Sequence, residues 1–185
     1  MRLLLVGAPG SGKGTQGKAL AAAYGVEHIS SGEVLRVEVR AGTPLGREVA
    51  AYQRRGDLVP DETVFDLLIP AIAAATARGG YILDGFPRTV SQAVQAADVA
   101  RRLDLSLDAA IYLNVPDPVL LRRLLARARP DDSAEVIEHR LEVFAETTSP
   151  LIAYYRQRRG ILIEVDGDQP SEAITAEIQA RLADR

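Results

Sequence analysis

Two clusters in this chain bring together residue types at spacings that phosphate chemistry requires. The first is Gly7-Ala8-Pro9-Gly10-Ser11-Gly12-Lys13-Gly14-Thr15, directly behind the apolar run Leu3 to Val6 and ahead of a helical pattern. Glycines let successive backbone N–H groups converge on an anion, the following helix adds its positive N-terminal end, and Lys13 supplies a full charge. Gly7, Gly12 and Lys13 fit the spacing G-x-x-x-x-G-K-[ST], but Gly14 stands where a hydroxyl is expected, and Thr15 brings that hydroxyl one residue later. The bland alternative is a glycine-rich turn with no ligand, and the strand–loop–helix setting weakens it.

The second cluster is Asp84-Gly85-Phe86-Pro87-Arg88-Thr89, with Gln92 beyond it. An acidic residue at the end of a parallel strand beside the cradle strand can hold a magnesium ion through water, and a nearby arginine can grip phosphate as a bidentate fork. Taken alone, Gly85 and Pro87 could instead shape a turn that Asp84 caps. Further along, Arg123 and Arg127 are spaced i,i+4 on one predicted helical face and Arg129 follows just past its end, a spacing that can converge on one anion. For any one of these arginines a solvated surface charge is the competing reading. His28 at the start of a strand and His139 on a charged helix read as structural.

The elements that must position these groups are short apolar stretches alternating with helical patterns. Strands are predicted at Leu3 to Val6, His28 to Ser30, Tyr81 to Leu83, Ala110 to Val115 and Leu162 to Val165. Helices are predicted at Lys13 to Tyr24, Gly32 to Arg40, Leu45 to Arg55, Thr63 to Ala77, Ser91 to Leu103, Pro118 to Ala128, Ala134 to Arg158 and Ser171 to Ala183. Alternation of this kind implies parallel pairing with helices on both faces, an open α/β sheet of five strands. Asp61 and Asp117 are expected as helix N-caps, and Ser171 after Pro170 marks another helix start. The two helices between Gly32 and Arg55 lack an intervening strand, so this stretch is expected to stand off the sheet as a helical flap.

Composition bounds the remaining classes. The chain has 185 residues, 47% hydrophobic and 25% charged, with a net charge of -3, which suits one globular core and offers no global attraction to nucleic acid. Any anion site must be local. There is no cysteine, which excludes disulfides, thiolate zinc sites and thiol catalysis and fits a reducing cytoplasm. No segment approaches the ~20 apolar residues of a membrane span, and the N-terminal apolar run is too brief for a signal sequence, so a soluble, unexported protein is expected. Lys13 and Lys18 are the two lysines among 22 basic residues, a bias that composition alone could produce.

Four segments in order, G-x-P-G-x-G-K-G-T-Q ending at Gln16, S-G-E-x-L-R from Ser31 to Arg36, Gly56-Asp57-Leu58-Val59-Pro60, and D-G-F-P-R followed by Gln92, resemble the adenylate kinase family over nearly the whole chain. In that family glycine follows the cradle lysine, which accounts for Gly14. The resemblance implies the P-loop nucleoside monophosphate kinase fold as one kinase domain over 1–185, with an AMP-binding helical insert at 30–59 and a lid over the ATP phosphates at 126–132. So short a lid implies a member without zinc. The implied reaction is transfer of the ATP γ-phosphoryl group to AMP, giving two ADP, with Mg²⁺ held mainly by phosphates and water near Thr15 and Asp84.

The resemblance also distributes roles. Gly10, Ser11, Gly12, Lys13, Gly14, Thr15, Arg127 and, by looser alignment, Gln169 would hold ATP. Ser31, Arg36, Asp57, Leu58, Val59, Gly85, Phe86, Pro87, Arg88, Gln92, Arg129 and Arg140 would hold AMP. Lys13, Arg88, Arg123, Arg129 and Arg140 would act on the transferring group, and Asp131 and Asp132 could orient the lid arginines. The carboxamide of Gln92 matches the N1 and amino edge of adenine. Ser31 stands where the family usually has threonine, which keeps a UMP/CMP kinase or other nucleoside monophosphate kinase as the alternative. Partners beyond nucleotides are not implied: no nucleic acid, no membrane, and a cytoplasmic monomer.

Overall fold

The computed structural model describes residues 1–102, 107–127 and 133–185. The five predicted strands form as β1 (Arg2–Val6), β2 (Glu27–Ser30), β3 (Tyr81–Asp84), β4 (Ala109–Asn114) and β5 (Leu162–Asp166). All pair in parallel, in the order β2-β3-β1-β4-β5. Around them lie α1 (Lys13–Tyr24), α2 (Ser31–Ala41), α3 (Pro44–Arg55), α4 (Asp61–Ala77), α5 (Val90–Arg102), α6 (Asp117–Arg127), α7 (Ala134–Val143), α8 (Pro150–Arg156) and α9 (Ser171–Ala183).

Side chains alternate across a strand, so β1 serves two cores. Leu3 and Leu5 pack with Ile82, Ile111, Leu113 and Leu20, Ile174 and Ile178 of α1 and α9. Leu4 and Val6 face the other way, onto Ile29, Leu83, and Leu68 and Leu151 of α4 and α8. Leu3, Leu4 and Leu5 are each at most 2% exposed, and burying such a side chain contributes about 1.5–3 kcal/mol. Covering both faces is why the run is continuously apolar instead of alternating. The connection leaving β1 runs toward β2 on one side of the sheet and that leaving β4 runs toward β5 on the other, which opens a crevice at the carboxyl end of β1.

Three expectations change at element ends. The predicted helix Ala134 to Arg158 is interrupted by a π-helical turn, Phe144–Thr148. The Ser149 N–H donates to the Phe144 carbonyl at 2.7 Å, five residues back, and Pro150 has no N–H with which to restore the ordinary pattern. Asp61 is the first residue of α4 and not its cap: Pro60 holds the cap position, and its carbonyl accepts from the Val64 N–H at 3.2 Å. Asp117 likewise opens α6, while the Pro116 carbonyl accepts from Val119 and Leu120. Each proline fixes the entry to its helix, and the following acid sits in the first turn, where the helix dipole favours it. The predicted helix ends at Leu103 and Ala128 lie outside the described residues.

No strand separates α2 from α3, as the sequence suggests. The Thr43 hydroxyl caps α3 by accepting from the Gly46 N–H at 2.8 Å. Gly46 itself lets the two helices meet, since a Cβ there would lie 2.1 Å from the Glu38 carbonyl oxygen.

Candidate active site

The turn between β1 and α1 has the shape its glycines suggest. Gly12 adopts φ +95°, a left-handed backbone that side chains disfavour, and nothing lies within 4 Å of where its Cβ would be. Helix α1 starts at once with Lys13; the Thr15 and Gln16 N–H groups donate to the Gly12 carbonyl at 3.0 Å, which leaves those of Lys13 and Gly14, both lining the crevice, without a partner within the helix. The Lys13 ammonium donates to the carbonyls of Gly7 at 2.7 Å and Ala8 at 2.9 Å. Burial pushes this ammonium down to about 8, against the pull of Asp84 and with added repulsion from Arg88 and Arg127. The Ser11 hydroxyl is buried without a hydrogen-bond partner.

Parallel registry places Leu5 opposite Asp84, which carries the carboxylate at the end of β3 to the cradle. Burial disfavours the charged carboxylate, but His28, Lys13 and Arg88 outweigh it and hold the Asp84 pKa below its usual range. The His28 ring nitrogen Nε2 lies 3.8 Å from Asp84 Oδ2, beyond hydrogen-bond reach, and makes no hydrogen bond among the described residues. Gly17 makes room for that ring, since a Cβ there would stand 2.3 Å from Nε2.

On the other side of Asp84 the chain turns through Gly85, Phe86 and Pro87. Phe86 is buried edge-to-face on Phe65, with ring centroids 4.9 Å apart. The Gly85 carbonyl accepts from the Ser31 hydroxyl at 2.7 Å and from Arg88 Nε at 2.8 Å. Burial lowers the Arg88 pKa, Asp84 opposes this, and the neighbouring charges of Arg140 and Arg36 add to it. Gln92 is buried behind this turn; its Oε1 accepts from the Arg88 N–H at 2.6 Å and its Nε2 donates to Asp61 Oδ1 at 2.5 Å.

Arg36 makes a forked ion pair with Glu33 at 2.8 Å, and Arg40 binds the other oxygen of that carboxylate at 2.8 Å. Hydrogen bonds from Arg40 and then Arg36 hold the Glu33 carboxyl at about 2. The Asp57 carboxylate meets His139 of α7 at 2.9 Å and Arg55 at 2.7 Å, and those two contacts lower its pKa. His139 therefore ties the Gly56 to Pro60 turn to α7. Arg140 donates to the Gln53 carbonyl at 3.2 Å, and Arg123 to the Gly167 carbonyl at 2.9 Å. Gln169 is held at the cleft mouth by the Asp166 carbonyl at 3.2 Å.

Lys13, Arg36, Asp57, Arg123, Arg140 and Gln169 line one cleft of about 1310 Å³, running from the cradle through Asp84 and Arg88 to Ser31, Leu58, Val59 and Gln92. That exceeds the roughly 300–1,000 Å³ of a typical single-ligand pocket. Arg127 lines it as well. Arg129, Asp131 and Asp132 lie outside the described residues. Sequence reasoning passed over Asp61 as anything beyond a cap, and over Gln16, whose carboxamide bonds Ser171 and Thr175 of α9 and fixes α1 against it. The short polar side chain at a helix start was the visible signal at Asp61, and it pointed to a local role.

Residues 5–160 match the family model described as adenylate kinase. An adenylate kinase of Synechococcus sp. (strain WH7803) is 46% identical over 182 residues, 98% of this chain and 98% of the relative. Adenylate kinase 1 of Synechocystis sp. (strain ATCC 27184 / PCC 6803 / Kazusa) is 44% identical, covering 96% of this chain and 94% of the relative. An adenylate kinase of Prochlorococcus marinus (strain MIT 9303) is 45% identical, covering 98% of each.

Proposed function

The chain belongs to the adenylate kinase family, an ATP:AMP phosphotransferase, and we propose that its cleft holds ATP over the Gly7 to Thr15 cradle and AMP between Ser31 and Gln92. The observation that carries this division is the cluster of Lys13, Arg88, Arg36, Arg127 and Arg140, close enough for their charges to act on one another around Asp84. Phosphoryl transfer needs positioning and neutralisation of charge more than covalent help from the protein. The orphan N–H groups at the start of α1 and Lys13 would take the β- and γ-phosphates of ATP, with Arg127 beside them. Arg36 and Arg88 would take the AMP phosphate, and Arg123, Arg129 and Arg140 would act on the transferring group or the acceptor. Leu58, Val59 and Phe86 wall the acceptor base, Gln92 reads its edge, and the Asp57 backbone lines the same wall. Gln169 sits where the ATP base would pass the cleft mouth.

The residues at hand fit Mg²⁺. Asp84 offers one hard carboxylate beside a phosphate cradle, with Thr15 lining the same cleft, and Gly14 brings no side chain between the cradle and its Oδ2. Among the described residues no three His, Cys, Asp or Glu side chains converge, so the ion would keep waters and phosphate oxygens as most of its ligands, the habit of magnesium. When bound it would neutralise charge on the phosphates. Asp84 would orient it through water, with the charges of Lys13 and Arg88 holding its carboxylate ionised.

The helical pair α2 and α3 would close over AMP, excluding water that would otherwise hydrolyse ATP; the lid expected at 126–132 lies mostly outside the described residues. The chain would work as a cytoplasmic monomer; among the described residues no helix is long and apolar enough to cross a membrane. A coupled assay across AMP, UMP, CMP and GMP, together with Mg²⁺-dependent disproportionation of ADP alone, tests the reading. Preference for AMP and formation of ATP plus AMP are expected; preference for another acceptor overturns it.

A further inference from the structure

The Gln92 carboxamide has two lone pairs on Oε1 and two hydrogens on Nε2, and the protein engages one of each. The Arg88 backbone N–H can only donate and fixes Oε1; the Asp61 carboxylate can only accept and fixes Nε2. Chemistry thus assigns the orientation of the amide. One acceptor and one donor remain, and Gln92 lines the cleft while Asp61 does not.

We propose that Asp61 is a positioning residue for acceptor specificity: it locks the Gln92 carboxamide in the one orientation that fits adenine. The proposal rests on the reading of Gln92 as the base reader. Adenine presents an acceptor at N1 and a donor at its 6-amino group, which match the free N–H and the free lone pair. Hypoxanthine and guanine present the reverse, a donor at N1 and an acceptor at O6. To bind them Gln92 must turn over, which sets Oε1 against the Asp61 carboxylate and Nε2 against the Arg88 N–H. Discrimination between purines then comes from repulsion behind the reader as well as attraction in front of it.

Asp61 can do this because Pro60, and not its own side chain, begins α4. Its carboxylate makes no cap hydrogen bond and is available to a residue 31 positions away. Removing it leaves one of the two restraints.

AMP and IMP share ribose, phosphate and ring shape and differ at this edge, so the ratio of their kcat/KM values as acceptors isolates the lock. In Asp61→Ala that ratio is expected to fall about tenfold, with KM for AMP raised and KM for ATP unchanged. Asp61→Asn keeps the shape but can turn its own amide to meet a turned-over Gln92, and it should lose discrimination in the same direction. In a Gln92→Ala background the Asp61 substitution should leave the ratio alone. Equal losses toward AMP and IMP in both Asp61 variants, or an unchanged ratio, overturn the lock while Gln92 stands as reader. A wild-type enzyme that uses IMP as readily as AMP overturns the reading of Gln92 and the lock with it.

Discussion

The affinity of the cradle for polyphosphate should fall as Lys13 loses its proton, in a pH range that burial sets. Burial holds the ammonium at about 8 in place of 10.5. The ligand-free group is therefore about nine-tenths protonated at pH 7 and about one-tenth at pH 9. Phosphate oxygens supply the anionic partners that the Gly7 and Ala8 carbonyls cannot, and return the group to its charged form. Binding above pH 8 must then take up a proton. The dissociation constant of a non-hydrolysable ATP analogue should rise about tenfold from pH 7 to pH 9, about 1.4 kcal/mol. Titration calorimetry in two buffers of different ionisation enthalpy reads both the affinity and the proton uptake. Lys13→Arg, charged throughout, should flatten the profile. Stability runs the opposite way. Between about pH 8 and 10.5 the folded chain binds fewer protons at Lys13 than the unfolded chain, so the cost of burying the charge declines as pH rises. A wild-type affinity that stays flat from pH 7 to 9, or a Lys13→Arg profile with the wild-type slope, refutes the reasoning.

Arg88→Ala removes a buried guanidinium beside Asp84 and should lower kcat by about 10²–10³ with KM for ATP little changed, read in steady-state assays that vary each nucleotide in turn. Gly46→Ala would place a Cβ 2.1 Å from the Glu38 carbonyl oxygen and should destabilise the chain by about 1–3 kcal/mol, seen as a lower urea midpoint. Ser31→Ala loses the hydrogen bond to the Gly85 carbonyl and should cost on the order of 1 kcal/mol of stability while raising KM for AMP and leaving KM for ATP alone, measured by denaturation and kinetics.

What the sequence revealed was local in its physics. The cradle was legible because nine consecutive residues contain both the glycines and the lysine, and the central strand because burial on both faces leaves the unbroken apolar run Leu3 to Val6. The order β2-β3-β1-β4-β5 was not legible from composition, although parallel pairing was. The break at Phe144–Thr148 had one signal in the sequence, Pro150 inside the predicted helix, but the helical pattern on both sides outweighed it, and the five-residue hydrogen bond shows how the turn forms. Contacts between distant residues were the least visible: His139 meets Asp57 across 82 positions, and Asp61 meets Gln92 across 31. In each case the residue type suggested a nearby role, and chain folding supplied a remote one.

The charge distribution explains why a chain of net charge -3 can bind two highly anionic nucleotides. Long-range attraction is absent, so affinity must come from the cleft. There Arg88 and Arg127 press on Lys13 and Arg140 and Arg36 press on Arg88, while Asp84 pulls on Lys13 and Arg88 and Glu33 pairs with Arg36. The fold maintains this repulsion because burial of the surrounding apolar residues, Phe86 and Leu83 among them, fixes the backbone that carries the charges. Phosphates entering the cleft relieve two costs together, the desolvation of Lys13 and the mutual repulsion of the arginines. One nucleotide therefore leaves part of the repulsion in place, and the second removes it. Binding of ATP and AMP should therefore be coupled through Arg88, which lies between the cradle carboxylate and the Gly85 turn that Ser31 also holds.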